Sequence, residues 1–146
     1  MGRRLIAACA VLAAFGCSDE TAPSPLNLSG TWSGIVGQAQ TGSALRLTWQ
    51  AAQIGSRVSG SATLVKPAVN VPASGTLTGV LSGGQLTLTY TVPSGGVPGF
   101  PDCTVIGAGM ANASATSISG TLTLILSACA GSGLEPTGSA ALTLAK

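Results

Sequence analysis

Twice in this chain apolar and polar residues change places at every step, in Leu45-Arg46-Leu47-Thr48-Trp49 and in Leu86-Thr87-Leu88-Thr89-Tyr90. A period of two belongs to an extended strand, whose successive side chains leave opposite faces, so each run must bury one face and wet the other. Parallel central strands would be apolar on both faces and would need helical crossovers, and no stretch after residue 17 carries a helical period. The pattern predicts half-buried antiparallel strands. From Leu28 onward similar runs alternate with Gly, Ser and Pro breaks, which predicts eight strands near 31–38, 44–53, 57–65, 75–81, 85–92, 104–113, 118–127 and 138–144. Turns are expected at Thr41-Gly42, Gly55-Ser56 and Ser82-Gly83-Gly84, and a longer surface loop at 93–101.

Eight strands in a simple meander remove both exposed edges by closing on themselves. The expected fold is therefore all-β, a closed or nearly closed antiparallel barrel, with a β-sandwich as the alternative. A short echo runs through it: Ser29-Gly30-Thr31, Ser59-Gly60-Ser61 and Ser119-Gly120-Thr121, with Ser74-Gly75-Thr76 a partial copy. Its spacing is too irregular for a solenoid, so it reads as a recurrent strand start. Only 7% of the residues are charged while 45% are hydrophobic, so Ser and Thr hydroxyls must keep the strand surfaces wet. A disordered chain would be poorer in Leu, Ile and Val.

The first sixteen residues do not belong to this pattern. A basic head, Met1 to Arg4, precedes an uncharged apolar run, Leu5 to Phe15, about half the length needed to span a bilayer as a helix. The segment reads as an export signal, 1–16, removed on maturation. Ala14-Phe15-Gly16-Cys17 closes it with a small residue directly before cysteine, and this ending resembles the bacterial lipoprotein box. The resemblance implies that the Cys17 thiol takes a diacylglyceryl group and that the chain is cut before it. Gly16 and Cys17 fit that box, whereas Ala14 stands where the family more often has Leu. The other reading is an ordinary secretory signal cut near Ala14 or Gly16, leaving Cys17 a free thiol. Residues 18–27, SDETAPSPLN, are polar with two prolines, which suits a tether with a reach of about 15 to 20 Å. The chain then divides into signal 1–16, lipidated Cys17 with tether 17–27, and a β-domain 28–146. In the enterobacterial sorting pattern Ser18 after the lipidated cysteine implies the outer membrane. The expected place is the cell envelope, on its periplasmic side or surface.

After such a cut Arg46, Arg57, Lys66 and Lys146 balance Asp19, Glu20, Asp102 and Glu135. With no basic excess, nucleic acid is not an expected partner. There is no His, hence neither the commonest general base nor the commonest metal ligand. No Gly-x-Ser-x-Gly elbow and no phosphate loop occurs, and a Ser-Lys pair would rest on Lys66 alone. Asp102 and Glu135 fall in predicted loops as solvated charges, not as a glycosidase pair. The chain is expected to be no enzyme, with no catalytic residue, no metal and no cofactor. Cys103 and Cys129 remain. A hairpin turning at 113–117 that sets them opposite one another also sets Ile106 opposite Leu126, Ala108 opposite Leu124 and Met110 opposite Leu122. In an oxidising compartment this predicts a cross-strand disulfide.

Trp32, Trp49, Tyr90 and Phe100 are the aromatic residues after position 17, and the first three are candidates for either core or ligand contact. Gly30-Thr31-Trp32 resembles the Gly-x-Trp opening of the first strand in lipocalins and is similar to the start of avidin-type barrels. The resemblance implies a calycin, a closed up-and-down barrel that binds small apolar molecules, with Trp32 plugging its closed end. The later Thr-Asp-Tyr turn of lipocalins and their C-terminal Arg have no match, because 138–144 holds no Arg. Two readings of function stay open. One is a lipid-anchored structural or interaction domain that contacts another envelope protein; the other is a barrel that holds a small apolar ligand.

Overall fold

The computed structural model describes residues 25–37, 44–134 and 138–146. The predicted Thr41-Gly42 turn, the signal with Cys17, and Glu135 lie outside the described residues. Eight strands follow one another: β1 (Gly30–Val36), β2 (Leu45–Ile54), β3 (Arg57–Val65), β4 (Pro72–Ser82), β5 (Gln85–Val92), β6 (Thr104–Ala113), β7 (Ser117–Ser127) and β8 (Gly138–Ala145). Each pairs antiparallel with the next, and β1 pairs with β8, so the meander closes into a barrel. The alternation seen in the sequence is the alternation of burial: in β5 Leu86, Leu88, Tyr90 and Val92 are buried and the residues between them exposed. The same inward face takes Leu45, Leu47, Trp49 and Ala51 from β2 and Trp32 and Val36 from β1. Thr, Ser, Gln and Arg make up most of the outside, interrupted by Ile35, Val80, Ile106, Met110 and Ile125. A membrane-spanning barrel would instead carry a continuous apolar band on its outer wall.

An eight-stranded barrel leaves an interior just wide enough for side chains, so large rings need small neighbours. Tyr90 is the cross-strand partner of Gly107, and an added Cβ at Gly107 would meet Tyr90 Cβ at 3.2 Å and Leu124 at 2.9 Å. The sequence echo has the same cause. In Ser59-Gly60-Ser61 and Ser119-Gly120-Thr121 the hydroxyls face out and the glycine faces a neighbouring backbone. An added Cβ would stand 1.6 Å from the Gln50 carbonyl oxygen at Gly60, and 2.1 Å from that of Met110 at Gly120. The echo marks places where strands coil closely over one another, in β3, β4 and β7, and not merely where they begin.

The two ends of the barrel differ. One end is closed by short connections at 55–56, 83–84 and 114–116; Gly83 and Gly84 both have positive φ, as a two-residue hairpin turn requires. The other end carries the longer loops 66–71, 93–103 and 128–134. These pack on one another: a Cβ added at Gly133 would meet Val69 at 2.7 Å, Ser74 N–H donates to Gly96 O (2.8 Å), and Val97 and Leu134 are buried. The structure corrects the expected pairing of the last long hairpin. Ile106 faces Ile125, Ala108 faces Thr123 and Met110 faces Thr121, one residue away from the expected register. Ile106, Ala108 and Met110 thus point outward, while Val105, Gly107 and Ala111 point in. A slip of one residue exchanges the faces of a strand.

Candidate functional site

At the end with the short turns, residues 25–29 form a strap across the barrel mouth. Leu28 is fully buried in the core. Its backbone N–H donates to Gln53 Oε1 (2.7 Å), Gln53 Nε2 donates to Leu26 O (3.0 Å) and Gly55 O (2.9 Å), and Gln53 N–H donates to Ser29 Oγ (3.0 Å). Gln53 sits at an inward-facing position of β2, where an amide is unexpected, and it spends that amide on holding the strap. Trp32 lies directly beneath. It is wholly buried, and its indole Nε1–H donates to Leu28 O at 2.7 Å. Lys146, one residue past β8, places Nζ 5.5 Å from the centre of the Trp32 ring, within cation–π range. A cation that 138–144 does not contain is therefore delivered by the next residues of the same strand direction.

Trp32 thus stands where the sequence placed it, buried near one end of the barrel, with Gly34 and Val36 on its face and Thr31 and Ser33 on the other. Trp49, its cross-strand partner, and Tyr90 are also fully buried. Their polar atoms fare differently. The Tyr90 hydroxyl donates to Ala73 O at 2.5 Å. Burial holds that hydroxyl well above the ordinary range of a phenol, although a hydrogen bond to backbone pulls the other way. Trp49 Nε1–H has no acceptor among the described residues. An unmade hydrogen bond of this kind costs about 1 to 3 kcal/mol.

At the loop end Cys103 and Cys129 form a disulfide, with Cα atoms 4.5 Å apart. The bond is the expected one, but a bend and not the ladder delivers it. Continuing the observed register would set Cys103 opposite Ala128. Ala128 adopts φ +55°, which turns the chain and brings Cys129 round to Cys103. The bond ties loop 93–103 to loop 128–134 over the core residues Val97 and Leu134. Gln53 and Lys146 are the site residues that sequence reasoning missed. An amide at an inward position of a strand was the one signal available for Gln53. Lys146 becomes meaningful only when β8 closes against β1. Asp102 lies in a turn at the loop end and is exposed, on the opposite end from the strap.

The described residues thus bring together an aromatic plug, its strap and its cation at one end, and a disulfide-tied loop cluster at the other. Comparison with protein-family models, with curated proteins and with solved structures finds no match for this chain.

Proposed function

We propose that the chain is a lipid-anchored lipoprotein of the bacterial envelope, held through an acyl group on Cys17, whose barrel serves as a non-catalytic structural or protein-interaction domain. The observation that carries this reading is the strap. The polar segment that follows Cys17 runs straight into residues 25–29, which Leu28 and Gln53 fasten across one end of the barrel. A pull on the tether is thereby delivered to the core and not to a frayed strand. The long loops 66–71, 93–103 and 128–134 stand at the opposite end from the strap, where a partner in the envelope can reach them. An inner face carrying Trp32, Trp49, Tyr90 and a shell of leucines, all fully buried, suits packing more than chemistry.

Metabolic labelling with a fatty acid tests the anchor. The full-length chain incorporates the label and partitions with membranes, and Cys17→Ala loses both. Label that persists in Cys17→Ala, or is absent from the unaltered chain, refutes the reading.

One observation favours a second reading, a calycin-like barrel that holds a small ligand. Trp49 Nε1–H is an unused donor within the barrel wall, and a ligand acceptor there would satisfy it. Native mass spectrometry of the protein taken from its own membrane separates the two. A bound small molecule that Trp49→Phe releases supports the second reading, and a bare domain supports the first.

A further inference from the structure

The strap end of the barrel sets an exposed apolar side chain beside a cation. Ile54, at the tip of the β2–β3 turn, is 85% exposed, the most exposed large apolar side chain among the described residues. Across that turn stands Arg57. From Arg57 a groove of about 390 Å³ runs over the outer face of β3, β4 and β5, lined by Ser59, Thr78, Val80, Thr87 and Thr89. Val80 is the cross-strand partner of Arg57 and is itself half exposed. One guanidinium, four hydroxyls and two apolar side chains therefore share one patch. A guanidinium with hydroxyl donors beside it recognises a phosphate oxyanion, and the apolar pair recognises something greasy attached to it. Lys146 adds a second cation at the same end; the loop end also holds two, Arg46 and Lys66, but Asp102, the only acidic side chain among the described residues, lies there and offsets one of them.

We propose that this patch docks on the anionic phospholipid headgroups of the bilayer that holds the anchor. Arg57 takes a lipid phosphate, the hydroxyls of Ser59, Thr78, Thr87 and Thr89 complete its hydrogen bonding, and Ile54 reaches into the boundary between headgroups and acyl chains. The inference rests on the reading of Cys17 as the lipidated residue, and the length of chain beyond the strap selects the occupant. Residues 18–24 separate Cys17 from Pro25, and eight links of chain cannot span more than about 29 Å even when fully extended. Because Leu28 and Gln53 fix the strap, the end bearing Ile54 and Arg57 is the end kept within that distance of the headgroups. Their local concentration there is high enough for a weak contact to be occupied. A single apolar side chain and one or two cations make a poor membrane ligand alone, and become effective as the second signal beside an acyl chain.

The test uses the full-length acylated protein in vesicles of phosphatidylethanolamine and phosphatidylglycerol that contain nitroxide-bearing lipid. A fluorophore is attached through Ser56→Cys, at the strap end, or through Ser94→Cys, in the far loop cluster. Fatty-acid labelling of the same sample reports the anchor. The expected result is several-fold stronger quenching at position 56 than at 94. Ile54→Asn with Arg57→Gln should bring position 56 down to the level of 94 while the protein stays on the vesicles. Replacing phosphatidylglycerol by phosphatidylcholine should weaken quenching in the parent and shrink the effect of Arg57→Gln. Equal quenching at both positions in acylated protein overturns the docking and leaves the anchor standing. Absence of acyl label overturns both. If the paired substitution disperses a self-associated form instead of lowering quenching, a second copy covers the patch and the lipid proposal is wrong. Both substituted side chains lie on the outer wall, and an unchanged unfolding midpoint in urea verifies that the fold is intact.

Discussion

The two tryptophans at the head of the barrel make opposed predictions although they face one another across β1 and β2. Trp32→Phe removes a donor that Leu28 O uses, at 2.7 Å in a fully buried place. Leaving that carbonyl unpaired costs about 1 to 3 kcal/mol. The smaller ring gives up a further ~1 to 2 kcal/mol of buried area and packing. Together these amount to about 2 to 5 kcal/mol. Trp49→Phe loses the same area, but the indole N–H it removes is already unpaired, so relief of that cost, again about 1 to 3 kcal/mol, offsets most of the loss. Its net effect should lie near zero. Urea unfolding followed by far-UV circular dichroism reads the difference without depending on tryptophan fluorescence. With a slope of about 1.5 to 2 kcal/mol/M for a domain of this size, Trp32→Phe should lower the midpoint by ~1 to 3 M and Trp49→Phe should barely move it. Equal losses in the two variants would refute the hydrogen-bond accounting. Should Trp32→Phe leave the midpoint unchanged yet release a ligand, its role is recognition and not packing.

Three further outcomes follow from the same contacts. Tyr90 is held neutral by burial, so its folded-state pKa lies above the value of about 10 that it regains on unfolding. Stability should therefore be full below pH ~10 and fall as pH rises above it, and Tyr90→Phe should flatten that fall in a series of urea midpoints. A Cβ at Gly34 would stand 1.9 Å from Thr143 O and 2.8 Å from Leu144 Cα. Gly34→Ala must force β1 and β8 apart, costing at least the ~1 to 3 kcal/mol of ordinary overpacking, whereas Ala141→Gly on the outer wall of β8 should cost about 1 kcal/mol or less. Replacing Cys103 and Cys129 together by Ala should cost about 3 kcal/mol from the freed unfolded chain. Proteolysis should then begin in loops 93–103 and 128–134, and cleavage first at 55–56 would contradict the view that the bond holds the loop end.

Strand positions were legible because burial in this barrel follows the period-two alternation closely, as in Gln85–Val92, and because Gly-rich turns separate the runs. The register of β6 and β7 was not. Ile106, Met110 and Ile125 are apolar yet face outward, while Gly107, Gly109 and Gly120 occupy the inward positions. Hydrophobicity therefore points to the wrong face of β6, although Ile118, Leu122 and Leu124 of β7 are buried as the pattern implies. The cysteine pair implies a register one residue out, because the φ of Ala128 is a backbone event with no mark in the side-chain pattern. At the strap end, Trp32 announced itself through Gly30-Thr31-Trp32. The roles of Gln53 and Lys146 depend on contacts spanning much of the chain, with Leu26 and Leu28 in one case and Trp32 in the other. A local reading cannot reach such contacts.

The connectivity of the barrel also bears on the order in which it assembles. Every ladder joins strands adjacent in sequence except one, the seam of β1 with β8, which spans only Ser33–Val36 against Leu142–Ala145. Hairpins need only short loops to close, whereas this seam must gather residues from opposite ends of the domain and bears the largest loss of chain entropy. Zipping can thus proceed from turn to turn and leave the seam until last. A residue whose contacts form after the rate-limiting barrier changes the rate of unfolding and spares the rate of folding. Stopped-flow chevrons of Gly34→Ala should accordingly show the unfolding limb raised to faster rates with the refolding limb nearly superimposed on that of the parent, so the seam is where the barrel first lets go.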